Sequence, residues 1–269
     1  MLDLPLLNMR CSQSHSDGDD QGGTRPAMSH PIIAYCGPAP LPAEIWIRWN
    51  PDPVLIAALV LLMLPTMLGR LAALPRAAAA AAATVLMFVI FVSPFCALSS
   101  ALFSARVLHH VILVSAVAPL LAIAFPVQRH TLPLAPLVVI HTLTLWLWHT
   151  PGVYAWGLAT VPAYWLMQVS LLGSGWLLWR AVLAPASQPG AALIALATTI
   201  GQMGLLGALI VFAPRPLYAV HFDSTWPWGL SPLTDQQLAG LLMWVPAMLP
   251  YLGAGLWLAW TNLRPAEAQ

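Results

Sequence analysis

A long apolar stretch at residues 104–126, SARVLHHVILVSAVAPLLAIAFP, limits the folds open to this chain more than any other segment. It opens with Arg106, His109 and His110 and then carries no charge up to Pro126. A helix that crosses the hydrocarbon core of a bilayer needs about 20 mostly apolar residues. The stretch therefore predicts a membrane-spanning helix whose polar groups lie near one face of the membrane.

The rest of the sequence has the same character. Of its 269 residues, 59% are hydrophobic and only 7% are charged, whereas soluble domains carry about 25% charged residues. Apolar segments recur along the chain and predict an all-α integral membrane protein, a seven-transmembrane helix bundle. The predicted spans lie at 54–68, 77–92, 105–125, 133–149, 164–183, 191–213 and 236–260. A formal net charge of +1 and the absence of lysine argue against a nucleic-acid partner.

The segments outside the spans are polar or rich in proline. Residues 1–27 are polar and glycine-rich, so they predict a disordered or mis-called N-terminal extension, with Met28 as an alternative start. Residues 28–53 are broken by prolines and predict an extramembrane arm with a short turn near 44–48. The membrane domain and a short cytoplasmic tail then cover 54–262 and 263–269.

The distribution of arginine predicts how the chain is oriented. Seven spans place the two termini on opposite sides of the membrane. One side carries Arg70, Arg76, Arg129, Arg180 and Arg264, and the other carries Arg48, Arg106 and Arg215 near its span ends. Cytoplasmic loops are enriched in positive charge. The N-terminus is therefore predicted outside and the C-terminus in the cytoplasm.

With this orientation, several potential metal ligands fall on the outer face. They are His109, His110, His149, His221, Cys36 and Cys96. Imidazole suits Cu(II) and thiolate selects Cu(I), so copper binding is one hypothesis. Histidines that only hydrogen-bond lipid headgroups or helix ends are the other. Because adjacent residues point about 100° apart on a helix, we expect one of His109 and His110 to face the bundle and the other to face headgroups or a loop.

The three cysteines are too few to form a disulfide framework. They are Cys11, Cys36 and Cys96. A single Cys36–Cys96 bridge is open to the chain if both residues face an oxidising compartment.

His141 lies well inside the fourth predicted span. It precedes His149 by eight residues, which is about 12 Å of helix at 1.5 Å per residue. Ionisable groups at such depth are usually functional. The simpler interpretation is a hydrogen bond to a neighbouring helix.

Two further patterns have structural interpretations. Three glycines recur at three-residue spacing and predict close helix packing; they are Gly201, Gly204 and Gly207. Thr234 and Gln237 match a capping box, and Asp235 between them is favoured by the helix dipole. These residues predict that the last span begins here, and nothing more.

The sequence contains no catalytic set. It has no Ser/His/Asp spacing, no glycine-rich phosphate loop and no carboxylate well inside a span. Proton pumps and ion-coupled carriers usually have intramembrane carboxylates. The chain is therefore predicted not to be an enzyme or a carrier of that kind.

Three stretches resemble one protein family: LHHVILVSAVAPLL at 108–121, WHTPGVYAWGL at 148–158 and SPLTDQQLAGLLMWVPAMLPYL at 231–252. They are similar to the multispanning CtaG-type cytochrome c oxidase assembly factors, which are distinct from the single-span copper chaperone that shares the name. The resemblance covers about residues 30–262, and DQQLAGLLMWVP is its most specific part. Carried over by motif, His110 precedes APxLL and His149 lies in WHxPxxY. The DQQ segment is Asp235, Gln236 and Gln237.

The resemblance implies a multi-pass protein of the bacterial inner membrane that assists copper-centre maturation of a haem–copper oxidase at the periplasmic face. Copper would be the metal, and oxidase subunits and membrane lipid the partners. Two alternatives stay open. One is a structural assembly partner that binds no metal. The other is a haem- or quinone-handling protein with His110, His141 and His149 as axial ligands.

This chain departs from the family pattern at two places. Arg106 stands where many members have a second histidine, four residues before His110. Met167 and Gln168 stand where a histidine is often found near the start of the fifth span. A metal site built on four histidines would thus be incomplete here, unless His109 or Cys96 compensates.

Overall fold

The computed structural model of the chain describes residues 35–71, 73–126, 133–185 and 187–263. Within these ranges every regular element is a helix and no strand occurs. The predicted N-terminal extension with Met28, the loop around Arg129 and most of the predicted cytoplasmic tail lie outside the described residues. The predictions for those segments therefore stay predictions.

Nine α-helices lie in the described part of the chain. They are α1 Pro53–Met67, α2 Leu74–Phe91, α3 Pro94–Ala101, α4 Phe103–Ala124, α5 Leu134–Trp148, α6 Pro151–Ala159, α7 Val161–Val182, α8 Pro189–Val211 and α9 Pro232–Leu263. Short 3-10 turns lie at Ile45–Ile47, Ala219–His221 and Trp226–Trp228. The first of these turns coincides with the predicted turn in the N-terminal arm.

Four of these helices are long and apolar enough to cross a membrane: α2, α4, α8 and α9. Two more, α1 and α5, are apolar but shorter. Six of the predicted spans overlap these six helices, whereas the predicted span at 164–183 lies on α7, which is not among them. The protein is thus an all-helical membrane protein, while the count of seven spans and the sides of the two termini stay predictions.

Local sequence explains where several helices begin. Proline at the first helical turn is favoured because its missing N–H would have no partner there, and α1, α3 and α9 all start with proline. The Asp52 carboxylate accepts a hydrogen bond from the Val54 amide at 2.9 Å. The Tyr35 hydroxyl also donates to Asp52, and this bond holds the pKa of the carboxyl below its ordinary value.

Helix α4 is the central helix of the bundle. It is the most buried of the four long apolar helices, and it packs against α2, α7 and α9. Over Ile112–Val117 its backbone widens into a π-helix. The Val114 carbonyl there accepts hydrogen bonds from Trp179 Nε1 at 3.2 Å and from the Tyr251 hydroxyl at 3.4 Å. Side chains of α7 and α9 thereby anchor the irregular turn, a feature frequent at functional sites.

Helices α8 and α9 approach each other through glycines. A Cβ atom at Gly207 would lie 2.9 Å from the Gly240 carbonyl oxygen, and one at Gly204 would lie 3.6 Å from Trp244. The predicted close packing is confirmed for these two glycines. It is wrong for Gly201, which has no neighbour within 4 Å of its Cβ position. Each three-residue step turns a helix by about 300°, so Gly201 lies about 120° around from Gly207.

The N-terminal arm is tied to the bundle by a disulfide. Cys36 and Cys96 are bonded, so the pairing that the sequence left open is present. Nearby, the Asn50 amide donates to the Val92 carbonyl at 2.8 Å, and its side chain donates to the Phe91 carbonyl at 3.1 Å. The arm therefore packs against the end of the bundle where α2 ends and α3 begins.

We expect the double substitution C36S/C96S to lower the free energy of unfolding by about 2 kcal/mol or more, because the bond closes a loop between residues 60 apart in sequence. The measurement is unfolding in detergent followed by tryptophan fluorescence. Cys11→Ser is the control, since it removes a thiol and leaves the bridge intact. Equal stability of the two variants would show that the bridge does not stabilise the fold.

Candidate functional site

Buried polar side chains gather at the end of the bundle where α4 begins. We call this set the polar cluster, and each member is at most 3% exposed. Its members are Arg106, His109, His110, His149, Tyr154, Tyr164, Gln168, His221 and Asp235. They come from α4, α6, α7, α9 and the residues that follow α5 and α8. Polar groups so deeply buried need partners, since an unsatisfied one is costly.

Asp235 on α9 caps the N-terminus of α4. Its carboxylate accepts hydrogen bonds from the Phe103 amide at 2.7 Å, from the Ser104 amide at 3.2 Å and from the Ser104 hydroxyl. The first amides of a helix have no partner within the helix, and Leu102 at the N-cap position offers no side-chain acceptor. Asp235 therefore sets the position of the turn that carries Arg106.

The prediction that Asp235 lies near the start of its own helix is confirmed, because it is in the first turn of α9. The predicted capping box that starts at Thr234 is wrong, and so is the expectation that Asp235 does nothing more. Helix α9 begins at Pro232, and the Ser231 hydroxyl oxygen accepts a hydrogen bond from the Thr234 amide at 3.1 Å. Serine is a strong N-cap residue and proline is favoured directly after it. The helix thus starts before Thr234, which leaves Asp235 free to cap another helix.

Gln236 fixes the segment between α8 and α9. Its amide nitrogen donates to the Ile210 carbonyl at 3.2 Å, and its amide oxygen accepts from the Leu217 amide at 2.6 Å. This segment carries Tyr218, whose hydroxyl donates to the His149 carbonyl at 2.7 Å. Gln237 is exposed. Two residues of the DQQ motif therefore position the polar cluster through hydrogen bonds to the backbone and to Ser104.

The His110 ring of the polar cluster contacts two other histidine rings, His109 and His149. The ring centroids of His109 and His110 are 5.9 Å apart, and those of His110 and His149 are 5.6 Å apart. Both pairs meet edge to face. The structure thus brings together three of the six predicted metal ligands.

His149 is held in one tautomer. Its Nδ1 atom donates a hydrogen bond to the Leu145 carbonyl at 2.7 Å, which leaves the lone pair on Nε2, and that atom has no hydrogen-bond partner. Histidines that bind metals usually donate their other N–H to a carbonyl or carboxylate in this way. The nitrogen of His149 that could bind a metal is therefore already oriented.

Of the two surroundings expected for the second ring of the pair His109 and His110, lipid headgroups or a loop, the headgroups are wrong. Both are at most 1% exposed, so neither faces lipid headgroups. The Phe91 ring meets His109 edge on at 4.7 Å, and Phe95 stacks near it at 6.4 Å. The end of α2 and the start of α3 therefore cover the side of α4 that the sequence alone left open.

The polar cluster offers a metal ion at most a pair of imidazoles. Among the described residues no group of three or more histidine, cysteine or acidic side chains has the arrangement of a metal site. Cys36 and Cys96 are joined in the disulfide, so neither sulfur is a thiolate. The copper-ligand prediction for these two cysteines would apply only to the reduced pair.

Arg106 is a fully buried cation without an ion pair among the described residues. Its Nη1 atom donates to the Tyr164 hydroxyl at 3.3 Å, and its guanidinium lies 5.2 Å from the Tyr164 ring centroid. Its Nη2 atom contacts the Cys36 sulfur at 3.9 Å. The disulfide therefore borders the polar cluster.

Both departures from the family pattern lie in the polar cluster. Gln168 on α7 is 3.4 Å from His110, measured between the two Nε2 atoms. Arg106 lies one helical turn before His110 on α4. The two positions at which the family pattern has histidines therefore lie close to His110. In this chain they are occupied by Arg106 and Gln168.

His221 is bound to a tyrosine rather than to the other histidines. Its Nε2 atom and the Tyr154 hydroxyl share a hydrogen bond of 2.7 Å. Burial, assisted by the charge of Arg106, lowers the pKa of His221 to about 3. The ring is therefore neutral at physiological pH, at the edge of the polar cluster.

His141 does not belong to the polar cluster. Its Nδ1 atom lies 3.0 Å from the Ser174 hydroxyl on α7. The simpler interpretation, a hydrogen bond to a neighbouring helix, is confirmed.

Sequence reasoning missed the tyrosines of the polar cluster. A signal for one of them was available, because Tyr164 and Gln168 are four residues apart and share a face of α7. Arg106 and His110 have the same spacing on α4. Tyr154 is the last residue of the WHxPxxY motif, which was used only for His149, and its contact with His221 shows its place in the polar cluster.

One comparison with known proteins gives a match. A family model described as cytochrome c oxidase caa3 assembly factor (Caa3_CtaG) matches residues 55–264. No curated protein and no solved structure matches the chain.

Proposed function

Because the chain belongs to the cytochrome c oxidase caa3 assembly factor family, we propose that it handles copper during the maturation of a haem–copper oxidase. Membership of this assembly-factor family indicates that the protein has a non-catalytic role and partners related to the oxidase. Copper is the cargo in this proposal, and His110 with His149 is its point of contact.

The free nitrogen of His149 beside His110 is the observation that carries the proposal. The Leu145 carbonyl orients the first ring, and the second lies 5.6 Å away between ring centroids. Imidazole is a suitable ligand for copper. A site with only two imidazoles binds an ion less tightly than a closed four-ligand site, which suits a protein that passes the ion on.

The disulfide supports a periplasmic location for the polar cluster. Disulfides persist in oxidising compartments such as the bacterial periplasm, and Cys36 contacts Arg106. The arginine distribution along the chain favours the same side. We therefore place the polar cluster at the outer face of a bacterial inner membrane, in a chain with seven spans.

We expect H110A/H149A to retain at least about tenfold less copper than the unmodified protein, since even outer partners of a metal ligand change affinity by about 10–100-fold. The measurement is metal analysis after loading with Cu(II) and dialysis, together with oxidase activity in a deletion strain that carries each variant. His141→Ala is the matched control, because this ring is equally buried but lies outside the polar cluster.

Unchanged copper in H110A/H149A, with oxidase activity lost, would contradict copper handling and support a structural assembly partner. A haem spectrum in the purified protein would instead favour haem handling.

A further inference from the structure

An apolar groove lies at the end of the bundle away from the polar cluster. Its volume is about 820 Å³, and α1, α2, α4 and α7 form its walls. Helix α2 starts beside the groove at Leu74 and ends at Phe91, which contacts His109. The 18 residues of α2 span about 27 Å, so the groove and the polar cluster belong to opposite ends of the bundle.

The groove has the depth of one membrane leaflet. Along α7 it is lined by Val169, Leu172, Gly173, Trp176 and Arg180, whose spacing places them on one face of the helix. The distance from the first to the last is about 16 Å at 1.5 Å per residue. The hydrocarbon core of a bilayer is about 30 Å thick, so the lining reaches from near its middle to one surface.

At one end of the groove lie nitrogen donors of Arg180 and Trp176 that have no acceptor among the described residues. Among the described residues that line the groove, only Arg76 and Arg180 are charged. The Arg180 guanidinium lies 4.4 Å from the Trp176 ring centroid, and its Nε atom and the Trp176 indole nitrogen are buried without a hydrogen-bond partner. Among the described residues no carboxylate pairs with either arginine. An anion with several acceptor oxygens is the complement of this set.

We propose that the groove binds one anionic phospholipid. Its phosphate lies between Arg76 and Arg180, and an acyl chain follows the apolar face of α7 past Gly173. Basic pockets between membrane helices bind anionic headgroups in this manner. A protein segment would have to bring an acidic side chain to headgroup depth, whereas a phospholipid carries its charge at that depth already.

The test is a titration of the purified full chain with phosphatidylglycerol or phosphatidylcholine, followed by native mass spectrometry. R76Q/R180Q should weaken phosphatidylglycerol binding roughly thirtyfold, because each arginine near the headgroups strengthens the attraction about fivefold. R70Q/R215Q is the matched control, since it removes the same charge from two exposed side chains outside the groove. Its affinity should equal that of the unmodified protein.

Gly173→Leu tests the acyl-chain part of the site without touching an arginine. No heavy atom lies within 4 Å of a Cβ placed at Gly173, and leucine favours a helix more than glycine does. The variant should fold normally and lose phosphatidylglycerol binding, because its side chain occupies the groove. Its copper content should equal that of the unmodified protein, so this result is independent of the proposed function.

Three results would overturn the proposal. The first is equal affinity for phosphatidylglycerol and phosphatidylcholine. The second is displacement of phosphatidylglycerol by inorganic phosphate with G173L unaffected, which would indicate a site for a free anion. The third is a dimer, or a co-purified protein, that is lost in G173L, which would identify the groove as a protein-docking surface.

Discussion

Replacing Asp235 with alanine should be the most damaging single change in the polar cluster, with a loss of roughly 4 kcal/mol or more in the free energy of unfolding. The substitution leaves the amides of Phe103 and Ser104 and the Ser104 hydroxyl buried without their acceptor. Each buried donor left unpaired costs about 1–3 kcal/mol. Because α4 carries Arg106 and His110, copper retention should fall together with stability.

Two variants sharpen this test. Asp235→Asn should lose less stability than D235A, because asparagine is also a good N-cap residue but offers only one acceptor oxygen. Gln237→Ala is the matched control, since this exposed side chain follows two residues later on the same helix. The measurement is unfolding in detergent followed by tryptophan fluorescence. If D235A is as stable as Q237A, Asp235 does not hold the start of α4.

Substitution of Gly240 should separate α8 from α9. A Cβ atom there would lie 2.6 Å from both the Gly207 carbonyl oxygen and Val211 Cγ2, and 2.9 Å from the Val211 amide nitrogen. Two of these three atoms are backbone atoms of the facing helix, so they cannot rotate away as a side chain would. We expect G240A to cost roughly 3 kcal/mol, the upper end of the range for overpacked cores, and Gly240→Leu to prevent accumulation of folded protein.

Gly253→Ala is the control for this prediction, because it changes a glycine of the same helix that has no neighbour within 4 Å of its Cβ position. It should cost nothing, since alanine favours a helix more than glycine does. The readouts are the yield of folded protein and the thermal midpoint in detergent. A thermal midpoint for G240A equal to that for G253A would contradict the close approach of the two helices.

The candidate site was partly predictable from the sequence. The motifs singled out His110, His149 and Asp235, and the structure places all three in the polar cluster. The role of Asp235 was not predictable, because its partners Phe103 and Ser104 precede it by more than 130 residues. The local pattern placed Asp235 correctly in the first turn of α9 but gave no sign that it also caps α4.

The burial of His109 was unpredictable for a related reason. The geometry of a single helix shows only that the rings of His109 and His110 point in different directions. Whether the His109 ring faces lipid or protein depends on the neighbouring helices. In this structure Phe91 and Phe95 pack against it.

Residue order alone establishes that the chain forms apolar helices, where most of them lie and which family it belongs to. These properties follow from hydrophobicity and turn chemistry within short segments, and in a membrane a helix satisfies its own backbone hydrogen bonds. The packing of the helices decides the rest: which carboxylate caps α4, which rings meet, and where Arg106 is buried. Those outcomes depend on the partners available to each buried polar group, and the partners come from distant parts of the chain.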